Sequence, residues 1–273
     1  MPELPEVETV VRDLRPLLVG RRLGVVAVGG KLRRPWRSEW AVAGATVTAL
    51  RRRGKWIVVE LAAAGRLVVH LGMTGQLTVV AADEPHPTHL HLRFPLDDGR
   101  ELRFRDVRRF GSVELFPDDA SVAAFLGDRL GPEPDELDPT AFAAAVRASK
   151  RPVKATLLDQ AVAAGVGNIY ADEALHRAGL HPERRGPTLT VAECDRLRVA
   201  VAGVIAFAID HRGSTIRDYI GGSGLKGRFQ DEHRVYGRGG EPCRTCGTAI
   251  QVVRVGGRSS HFCPACQPTK PGS

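Results

Sequence analysis

The chain has 273 residues, a net charge of +8 and an isoelectric point near 9.6. Hydrophobic residues make up 43% of it, yet no apolar run approaches the ~20 residues that span a bilayer. The N-terminus carries carboxylates where a signal peptide would carry lysines. These features argue against a membrane-spanning or secreted protein. They predict a cytoplasmic protein of two domains with a polyanionic partner.

The first predicted element is a helix over residues 3–18. Its apolar residues recur at intervals of three and four, which is the pattern of an amphipathic helix; they are Val7, Val10, Val11, Leu14, Leu17 and Leu18.

Short β-patterned runs follow from about residue 22 to 116. They include Ala45 to Leu50, Trp56 to Leu61, Leu67 to Leu71, His89 to Phe94 and Glu101 to Phe104. Asp97-Asp98-Gly99 predicts a turn between two of these strands. Evenly spaced short strands favour a sandwich or a barrel.

The second half of the chain is patterned differently. Residues 117–139 are rich in Pro, Asp, Glu and Gly and predict a linker. Helical patterns dominate from about 140 to 212, and a glycine-rich loop covers about 213–228. Cys194 lies alone in a helical pattern, which indicates a buried, unreactive thiol.

The chain begins Met1-Pro2-Glu3. Removal of Met1 would give Pro2 a secondary amine, with an α-amino pKa near ~8. Such an amine can attack an electrophilic carbon and form an iminium ion, and the Glu3 carboxyl could transfer protons beside it. The alternative is structural: Pro2 begins a helix, and the glutamates favour the dipole at its N-terminus.

Four of the five cysteines form two Cys-x2-Cys pairs separated by sixteen residues; they are Cys243, Cys246, Cys263 and Cys266. This spacing is typical of a zinc ribbon. Four thiolates close a tetrahedral site, so the zinc would be structural rather than catalytic. The alternatives are two disulfides or four free thiols, and disulfides are disfavoured in the cytoplasm.

Three further segments have both a functional and a structural interpretation. Gly165-Val166-Gly167-Asn168 could approach a phosphate at a helix N-terminus, or could form an ordinary corner between helices. Lys55 ends a basic cluster that could bind DNA or form a solvated hairpin edge. Arg108 and Phe110 could fill the gap left by an extruded base, or belong to a charged strand end and the core.

Taken together, these segments resemble the bacterial formamidopyrimidine-DNA glycosylases, in the group that also contains the endonuclease VIII type enzymes. The resemblance runs from Pro2 to Gln267. Its matching segments are Pro2 to Glu8, His70 to Gly75, Arg108 to Gly111, Leu130 to Pro134, Leu157 to Gln160, Gly165 to Glu173, Val235 to Arg238, and Gly257-Arg258 with His261 to Cys263.

The resemblance implies an α+β fold. An N-terminal helix with a two-sheet β-sandwich would be followed by a helix–two-turn–helix domain and a C-terminal zinc-ribbon β-hairpin. The expected bounds are 1–116 for the catalytic sandwich, 117–139 for the linker, 140–232 for the helical DNA-binding domain with its lesion-capping loop, 233–267 for the zinc hairpin and 268–273 for the tail.

The resemblance also implies the residue roles. Pro2 would attack the sugar C1′ and Glu3 would protonate the sugar. Lys55 would serve β-elimination, and Arg258 would serve δ-elimination. The implied DNA contacts are His70, Met73, His89, Arg108, Phe110, Lys150 and Asn168, of which Met73, Arg108 and Phe110 would fill the vacated space in the duplex. Zinc is the implied metal and no organic cofactor is implied.

The implied activity is excision of oxidised purines (8-oxoguanine and formamidopyrimidines) from double-stranded DNA, followed by β,δ-elimination. A monomer associated with the bacterial nucleoid is expected. The stretch 220–226 is unusually glycine-rich for the family, and Gly227-Arg228-Phe229-Gln230 replaces its usual Gly-Tyr-Phe-Gln. A glycosylase for oxidised pyrimidines is therefore one alternative. Others are a non-catalytic damage-binding protein and a zinc-ribbon transcription or ribosomal factor, which would explain only the last thirty residues.

Overall fold

A computed structural model describes residues 1–30, 32–37, 40–215 and 225–269. They form two compact units. The first comprises Met1–Asp128 and His211–Gln230, and the second comprises Arg129–Asp210 and Asp231–Ser273. Most of the stretch 220–226, on which the lesion preference was expected to depend, lies outside the described residues. In the described part, no helix is both long and apolar enough to cross a membrane.

The first unit begins with helix α1 (Leu4–Leu18). Glu3 caps it in an extended conformation: the Glu3 side chain accepts from the Glu6 backbone, and the Glu6 side chain accepts from the Glu3 backbone N–H at 2.7 Å. This reciprocal capping box pairs two of the N–H groups that the first turn leaves without intrahelical partners. Pro5, not Pro2, occupies the first helical turn. The helix-starting role considered for Pro2 is therefore wrong.

In the described part of this unit, eight strands form two four-stranded antiparallel sheets. One has the order β1-β6-β7-β5 and the other β2-β3-β4-β8. The strands are β1 (Ala27–Val28), β2 (Val47–Arg53), β3 (Trp56–Leu61), β4 (Gly65–His70), β5 (Gly75–Ala81), β6 (Leu90–Pro95), β7 (Arg100–Asp106) and β8 (Ser112–Phe116). Helix α2 (Asp119–Gly127) follows them.

One buried apolar cluster contains side chains from both sheets and from α1. Val10 and Leu14 come from the helix, Ile57 and Val69 from one sheet, and Phe104 from the other. Burying these alternating faces together removes their apolar area from water, which stabilises the layered arrangement. The predicted N-terminal helix and two-sheet architecture are confirmed.

The second unit is helical and ends in a hairpin. Its helices are α3 (Pro139–Ala148), α4 (Val153–Leu157), α5 (Asn168–Ala178) and α6 (Val191–Asp210). Strands β9 (Gln251–Val255) and β10 (Arg258–Phe262) pair antiparallel. Cys194 on α6 is fully buried in the helical core, and burial raises the pKa of its thiol. The expected buried thiol is therefore confirmed.

Candidate active site and DNA interface

Pro2 and Glu3 lie at the start of the first unit, where both are buried. Met1 is 47% exposed. While Met1 is attached, the Pro2 nitrogen is a tertiary amide whose lone pair is delocalised into the carbonyl. Only removal of Met1 makes this nitrogen a nucleophile. Because Met1 is at the surface, the bond to Pro2 lies next to solvent-accessible atoms.

Glu6 connects this end of the chain to a distant segment of the same unit. Its Oε2 accepts from the Glu3 N–H at 2.7 Å, and its Oε1 accepts from the Ser214 N–H at 2.7 Å. Gly213 has φ +69°, and a Cβ there would lie 2.6 Å from Glu6 Oε1. Only glycine fits this close approach without strain. This role of Glu6 leaves no signal in the sequence, because its partner lies 208 positions away.

Segments 213–215 and 227–230 are hydrogen-bonded to each other. Phe229 N–H donates to the Gly213 carbonyl at 3.0 Å, and Thr215 N–H donates to Gln230 Oε1 at 2.9 Å. Gly227 N–H donates to Thr215 Oγ1 at 2.7 Å. These bonds fix both ends of the expected lesion-capping loop, and Glu6 connects them to the residue that follows Pro2.

Lys55 and His70 are brought together at one end of the sheet that contains β3. Gly54 and Lys55 form the turn between β2 and β3, and Lys55 is 8% exposed. His70 ends β4 opposite Trp56, with the two ring centres 4.6 Å apart. Burial, followed by the positive charges of Lys55 and Arg34, lowers the pKa of His70 to about 4.

The protonation state of His70 follows from these contacts. Its Nδ1 accepts from the Gly72 N–H at 3.1 Å, so the neutral ring carries its proton on Nε2. With a pKa of about 4 the ring is neutral at pH 7. His70 can therefore donate one hydrogen bond to a phosphate oxygen without adding a charge.

The pKa of His70 predicts a pH dependence of stability. Its ordinary value is 6.5, so the unfolded chain binds this proton more tightly than the folded one. Lowering the pH from about 6.5 to about 4 should destabilise the wild type, with no further loss from this group below that range. Urea unfolding of wild type and His70→Asn across this range tests it. Parallel pH profiles for the two proteins would contradict the assignment.

The rest of the basic cluster is partly taken up by ion pairs within the first unit. Arg51 pairs with Glu60 at 3.0 Å and Arg52 pairs with Glu8 at 3.0 Å. The structural interpretation, a charged hairpin edge, thus applies to these two arginines. It does not account for Lys55, whose side chain is largely buried next to His70.

Asp106 organises the segment expected to fill the vacated space in DNA. This fully buried carboxylate ends β7 and accepts from Thr74 Oγ1, from the Arg108 N–H at 3.2 Å and from the Gly111 N–H at 2.8 Å. It therefore holds the residue after Met73 together with the 108–111 turn. Asp106 could not be identified from the sequence, because a single acidic residue at a strand end has no distinctive pattern.

The three space-filling candidates are exposed on this support. Met73 is 39% exposed and Phe110 is 41% exposed. The Arg108 guanidinium carbon lies 4.9 Å from the Phe110 ring centre. Phe110 is therefore not a core residue as the structural alternative required. An exposed ring can stack on bases, and the guanidinium beside it can donate hydrogen bonds to an orphaned partner base.

Two non-glycine residues close to this support have left-handed backbones. Arg109 has φ +57°, and His89 has φ +64°. The His89 carbonyl accepts from the Asp106 N–H at 3.0 Å, and its side chain is exposed. Such conformations cost about 1–3 kcal/mol each and cluster at functional sites. The hydrogen bond to Asp106 places His89 next to this support, in keeping with the expected DNA contact.

Replacing Asp106 with Asn should destabilise the first unit. The amide would offer an NH₂ where the carboxylate now accepts N–H donors, leaving buried donors unpaired at a cost of about 1–3 kcal/mol. We expect this loss in urea unfolding, together with weaker binding of lesion-containing duplex. Asp98→Asn is the matched control, since Asp98 lies in the exposed turn before β7 and pairs there with Arg100 and Arg21. Equal stability of Asp106→Asn and Asp98→Asn would refute the organising role of Asp106.

In the second unit, Asn168 and Arg258 are brought together. Asn168 is the first residue of α5, after the Gly165-Val166-Gly167 corner, and its Nδ2 donates to the Ser259 carbonyl at 3.1 Å. Arg258 begins β10 next to Ser259 and is exposed, as is Lys150 after α3. A phosphate could therefore meet a helix N-terminus and a guanidinium on adjacent elements.

A buried charge network connects β10 to the helices. Lys154 on α4 contacts Asp172 on α5 at 2.6 Å, and both side chains are fully buried. Lys154 also donates to the Ser259 carbonyl at 2.8 Å and to Ser260 Oγ at 2.7 Å, while the His261 N–H donates to Asp172 Oδ2 at 2.9 Å. These bonds fix the strand on which Arg258 lies. Removing one member would leave an uncompensated buried charge.

The four expected metal ligands converge. The Sγ atoms of Cys243, Cys246, Cys263 and Cys266 all lie within 4.8 Å of one another, and none of the four is in a disulfide. Individual separations are 3.4 Å for Cys246–Cys263, 3.5 Å for Cys246–Cys266 and 3.9 Å for Cys243–Cys266. Tetrahedral zinc with Zn–S bonds of ~2.3 Å requires sulfur separations of about 3.8 Å. The site therefore fits one structural zinc ion.

Hydrogen bonds and burial shift the pKa values of these thiols even without a metal. Burial opposes ionisation of Cys243, but N–H donors from Thr245, Cys246 and His176 lower its pKa to about 7. Hydrogen bonds from Thr248 lower the pKa of Cys246 to about 6. Burial and the neighbouring sulfurs raise the pKa of Cys266. Zinc must therefore displace protons from part of the set when it binds.

Comparison with known proteins covers almost the whole chain. The formamidopyrimidine-DNA glycosylase N-terminal domain matches residues 1–113, the formamidopyrimidine-DNA glycosylase H2TH domain matches 130–219, and the zinc finger found in FPG and IleRS matches 240–269.

Similar proteins include the formamidopyrimidine-DNA glycosylases of Herpetosiphon aurantiacus and Bacillus subtilis. The first is 46% identical over 98% of this chain and 100% of that protein. The second is 42% identical over 99% of this chain and 100% of that protein.

Similar solved structures include MutM (Fpg) from Thermus thermophilus, with a TM-score of 0.89 and 43% identity over 99% of this chain and 100% of that one. A Lactococcus lactis Fpg mutant in complex with Fapy-dG-containing DNA has a TM-score of 0.91 and 36% identity, over 98% and 100% of the two chains. These matches confirm the resemblance, and the chain belongs to the formamidopyrimidine-DNA glycosylase family.

Proposed function

We propose that this chain is a bifunctional DNA glycosylase and AP lyase of base-excision repair that removes oxidised purines from duplex DNA. The observation that carries the proposal is the Pro2-Glu3 start, held by the α1 capping box, in a chain that matches the family over nearly its full length. The solved relatives include a complex with Fapy-dG-containing DNA and one with carbocyclic 8-oxo-G-containing DNA. The lesions in these complexes support oxidised purines as the substrate here.

Base release begins with the free Pro2 amine. Its lone pair attacks C1′ of the damaged nucleotide while the C1′–base bond breaks, and the proton that the attacking nitrogen loses balances the proton that the departing base gains. The Glu3 carboxyl gives a proton to the sugar ring oxygen, so the ring opens and the nitrogen becomes an iminium. The product is a covalent bond between Pro2 and the opened sugar.

Strand cleavage uses this iminium as the electron sink. Loss of a C2′ proton allows the C3′–oxygen bond to break, which is β-elimination. Loss of a further proton then breaks the C5′–oxygen bond, which is δ-elimination. Lys55 and Arg258 hold the phosphates that leave in these two steps, and water finally releases Pro2 from the sugar fragment.

Access to the damaged nucleotide requires its extrusion from the duplex. Unstacking costs a few kcal/mol. Met73, Arg108 and Phe110 offset this cost by occupying the vacated space. Contacts from Lys55, Asn168 and Arg258 to phosphates position the strand without reading its sequence, and His70, His89 and Lys150 add further DNA contacts. The zinc site supplies no chemistry, because its four thiolates leave no open coordination position.

We further propose that the enzyme acts as a monomer at the bacterial nucleoid, where its substrate is. A second copy is not needed for this mechanism, since one chain supplies every group named above. The net charge of +8 favours association with DNA through its phosphates.

The test is borohydride trapping on a duplex with one 8-oxoguanine opposite cytosine, alongside an abasic duplex. We expect a covalent adduct on both, mapped to Pro2. An adduct on the abasic duplex alone would keep the lyase and shift the substrate to oxidised pyrimidines. Tight binding with no adduct on either duplex, despite a free Pro2 amine, would indicate a non-catalytic damage-binding protein.

A further inference from the structure

Helix α5 reaches the zinc site with a side chain that is not one of the four ligands. His176 lies in the last turn of α5 and is half-buried. Its Nε2 is 3.7 Å from Cys243 Sγ, within hydrogen-bonding distance for sulfur. The Thr245 N–H also donates to this sulfur, at 3.4 Å. Cys243 is thus a thiol with both a backbone donor and an imidazole close to its sulfur.

The direction of this hydrogen bond is fixed by the metal. A zinc-bound cysteine is a thiolate, which has no proton and can only accept. The imidazole must therefore present a protonated Nε2 to the sulfur, which leaves Nδ1 as the unprotonated nitrogen of the neutral ring.

We propose that His176 is a hydrogen-bond donor to the Cys243 thiolate that protects the zinc site against attack and slows metal loss. Zinc with four thiolates carries a formal charge of −2, so the sulfurs retain high electron density. An N–H donor withdraws part of this density and, by stabilising the thiolate, makes the sulfur a weaker nucleophile. Groups of this kind, outside the coordination sphere, typically change metal affinity by 10–100-fold.

The four sulfurs differ in how exposed they are to attack. Cys246 is exposed, whereas Cys243 is 3% exposed. Attack by an electrophile or oxidant on the exposed sulfur would leave zinc held by three thiolates. Zinc then stays only while the remaining thiolates escape modification, and the hydrogen bond from His176 lowers the reactivity of Cys243. The same helix carries Asn168 at its other end, so retention of zinc also preserves the support of the expected phosphate contact.

Zinc release tests the proposal without using the repair reaction. Full-length zinc-loaded wild type, His176→Phe and His176→Gln are treated with N-ethylmaleimide, and released zinc is followed with a chromogenic chelator. We expect release to be about tenfold faster in His176→Phe. His176→Gln should be close to wild type, since its amide can place an N–H where Nε2 was. His86→Phe controls for the same change at an exposed histidine of the first unit.

Two outcomes would overturn the proposal. Equal release from wild type and His176→Phe would mean that the imidazole does not protect the site. Equally fast release from His176→Phe and His176→Gln would mean that hydrogen-bond donation is not the cause. Both outcomes leave the glycosylase function untouched, because that function depends on Pro2 and Glu3.

A measurement on the unsubstituted protein covers the case in which the phenylalanine variant does not fold. In ¹¹³Cd-substituted wild type, the carbon-bound ring protons of His176 report through nitrogen correlations which nitrogen is protonated. We expect protonated Nε2, with scalar coupling to the metal. The Thr245 and Cys266 amides, which donate to Cys243 and Cys263 sulfurs at 3.4 Å, are internal references. Protonation on Nδ1 with a bare Nε2 would overturn the proposal.

Discussion

Protein that keeps Met1 is expected to have neither base-excision nor strand-cleaving activity. Because the Pro2 nitrogen is then an amide, no covalent intermediate can form, and rates should fall to the uncatalysed level, by about six orders of magnitude or more. Met1 is exposed and does not take part in the α1 capping box, so the fold should be unaffected. Borohydride trapping and strand-nicking assays on 8-oxoguanine and abasic duplexes measure both activities.

The matched control is the same preparation after aminopeptidase treatment. Removal of Met1, checked by mass spectrometry, should restore both activities, and lesion-duplex affinity should differ little between the two forms. Normal turnover with Met1 still attached would refute the role of Pro2 as nucleophile. It would also direct attention to lysines such as Lys55.

Glu3→Gln should reduce base excision about 10²–10⁴-fold, the usual contribution of a positioned proton donor. The Glu3 side chain also accepts from the Glu6 N–H in the capping box. Glutamine can keep this bond through its carbonyl oxygen, so the helix should remain capped and duplex affinity should change little. Single-turnover excision, duplex affinity and unfolding free energy separate these contributions.

Two comparisons sharpen the Glu3 experiment. In this variant the rate of cleavage at a preformed abasic site should fall less than the rate of excision, since part of that sugar is already the open aldehyde. Glu8→Gln is the matched control on the same helix, because Glu8 pairs with Arg12 and Arg52; it should retain excision. Equal losses in excision and in duplex affinity would contradict a proton-transfer role for Glu3.

The elements that local pattern determines were predictable from the sequence. The strand over Trp56–Leu61 was predicted with the observed bounds, and helix α1 begins one residue after the expected start. In α1 the apolar spacing matches the helical period and marks the buried face, whereas the strand is a short, nearly continuous run of apolar and β-branched residues. The zinc cysteines were equally predictable, since their spacing reflects the geometry of two turns that face one metal.

The groups that organise the candidate site could not be predicted in this way. Asp106 accepts a hydrogen bond from Thr74, which lies 32 positions earlier in the chain. Glu6 and Ser214 are 208 positions apart, and Lys154 and Ser259 are 105 apart. A single charged residue in a β or helical pattern gives no sign of such a partner. Only the folded chain shows which segment each buried charge holds. Asp106 holds the 108–111 turn, Glu6 holds segment 213–215 at the base of the loop, and Lys154 holds strand β10.

The composition of the first unit has a consequence for biosynthesis. This unit includes His211–Gln230, and this late segment is attached to α1 by the Ser214–Glu6 hydrogen bond and the Arg212–Asp13 ion pair at 2.7 Å. A ribosome adding roughly 5–20 residues per second needs about 5–20 s to pass from residue 128 to residue 230. During that interval the nascent chain presents its first strands and the proline end without the segment that completes them. We therefore expect the surroundings of Pro2 to be complete only after most of the chain has been translated.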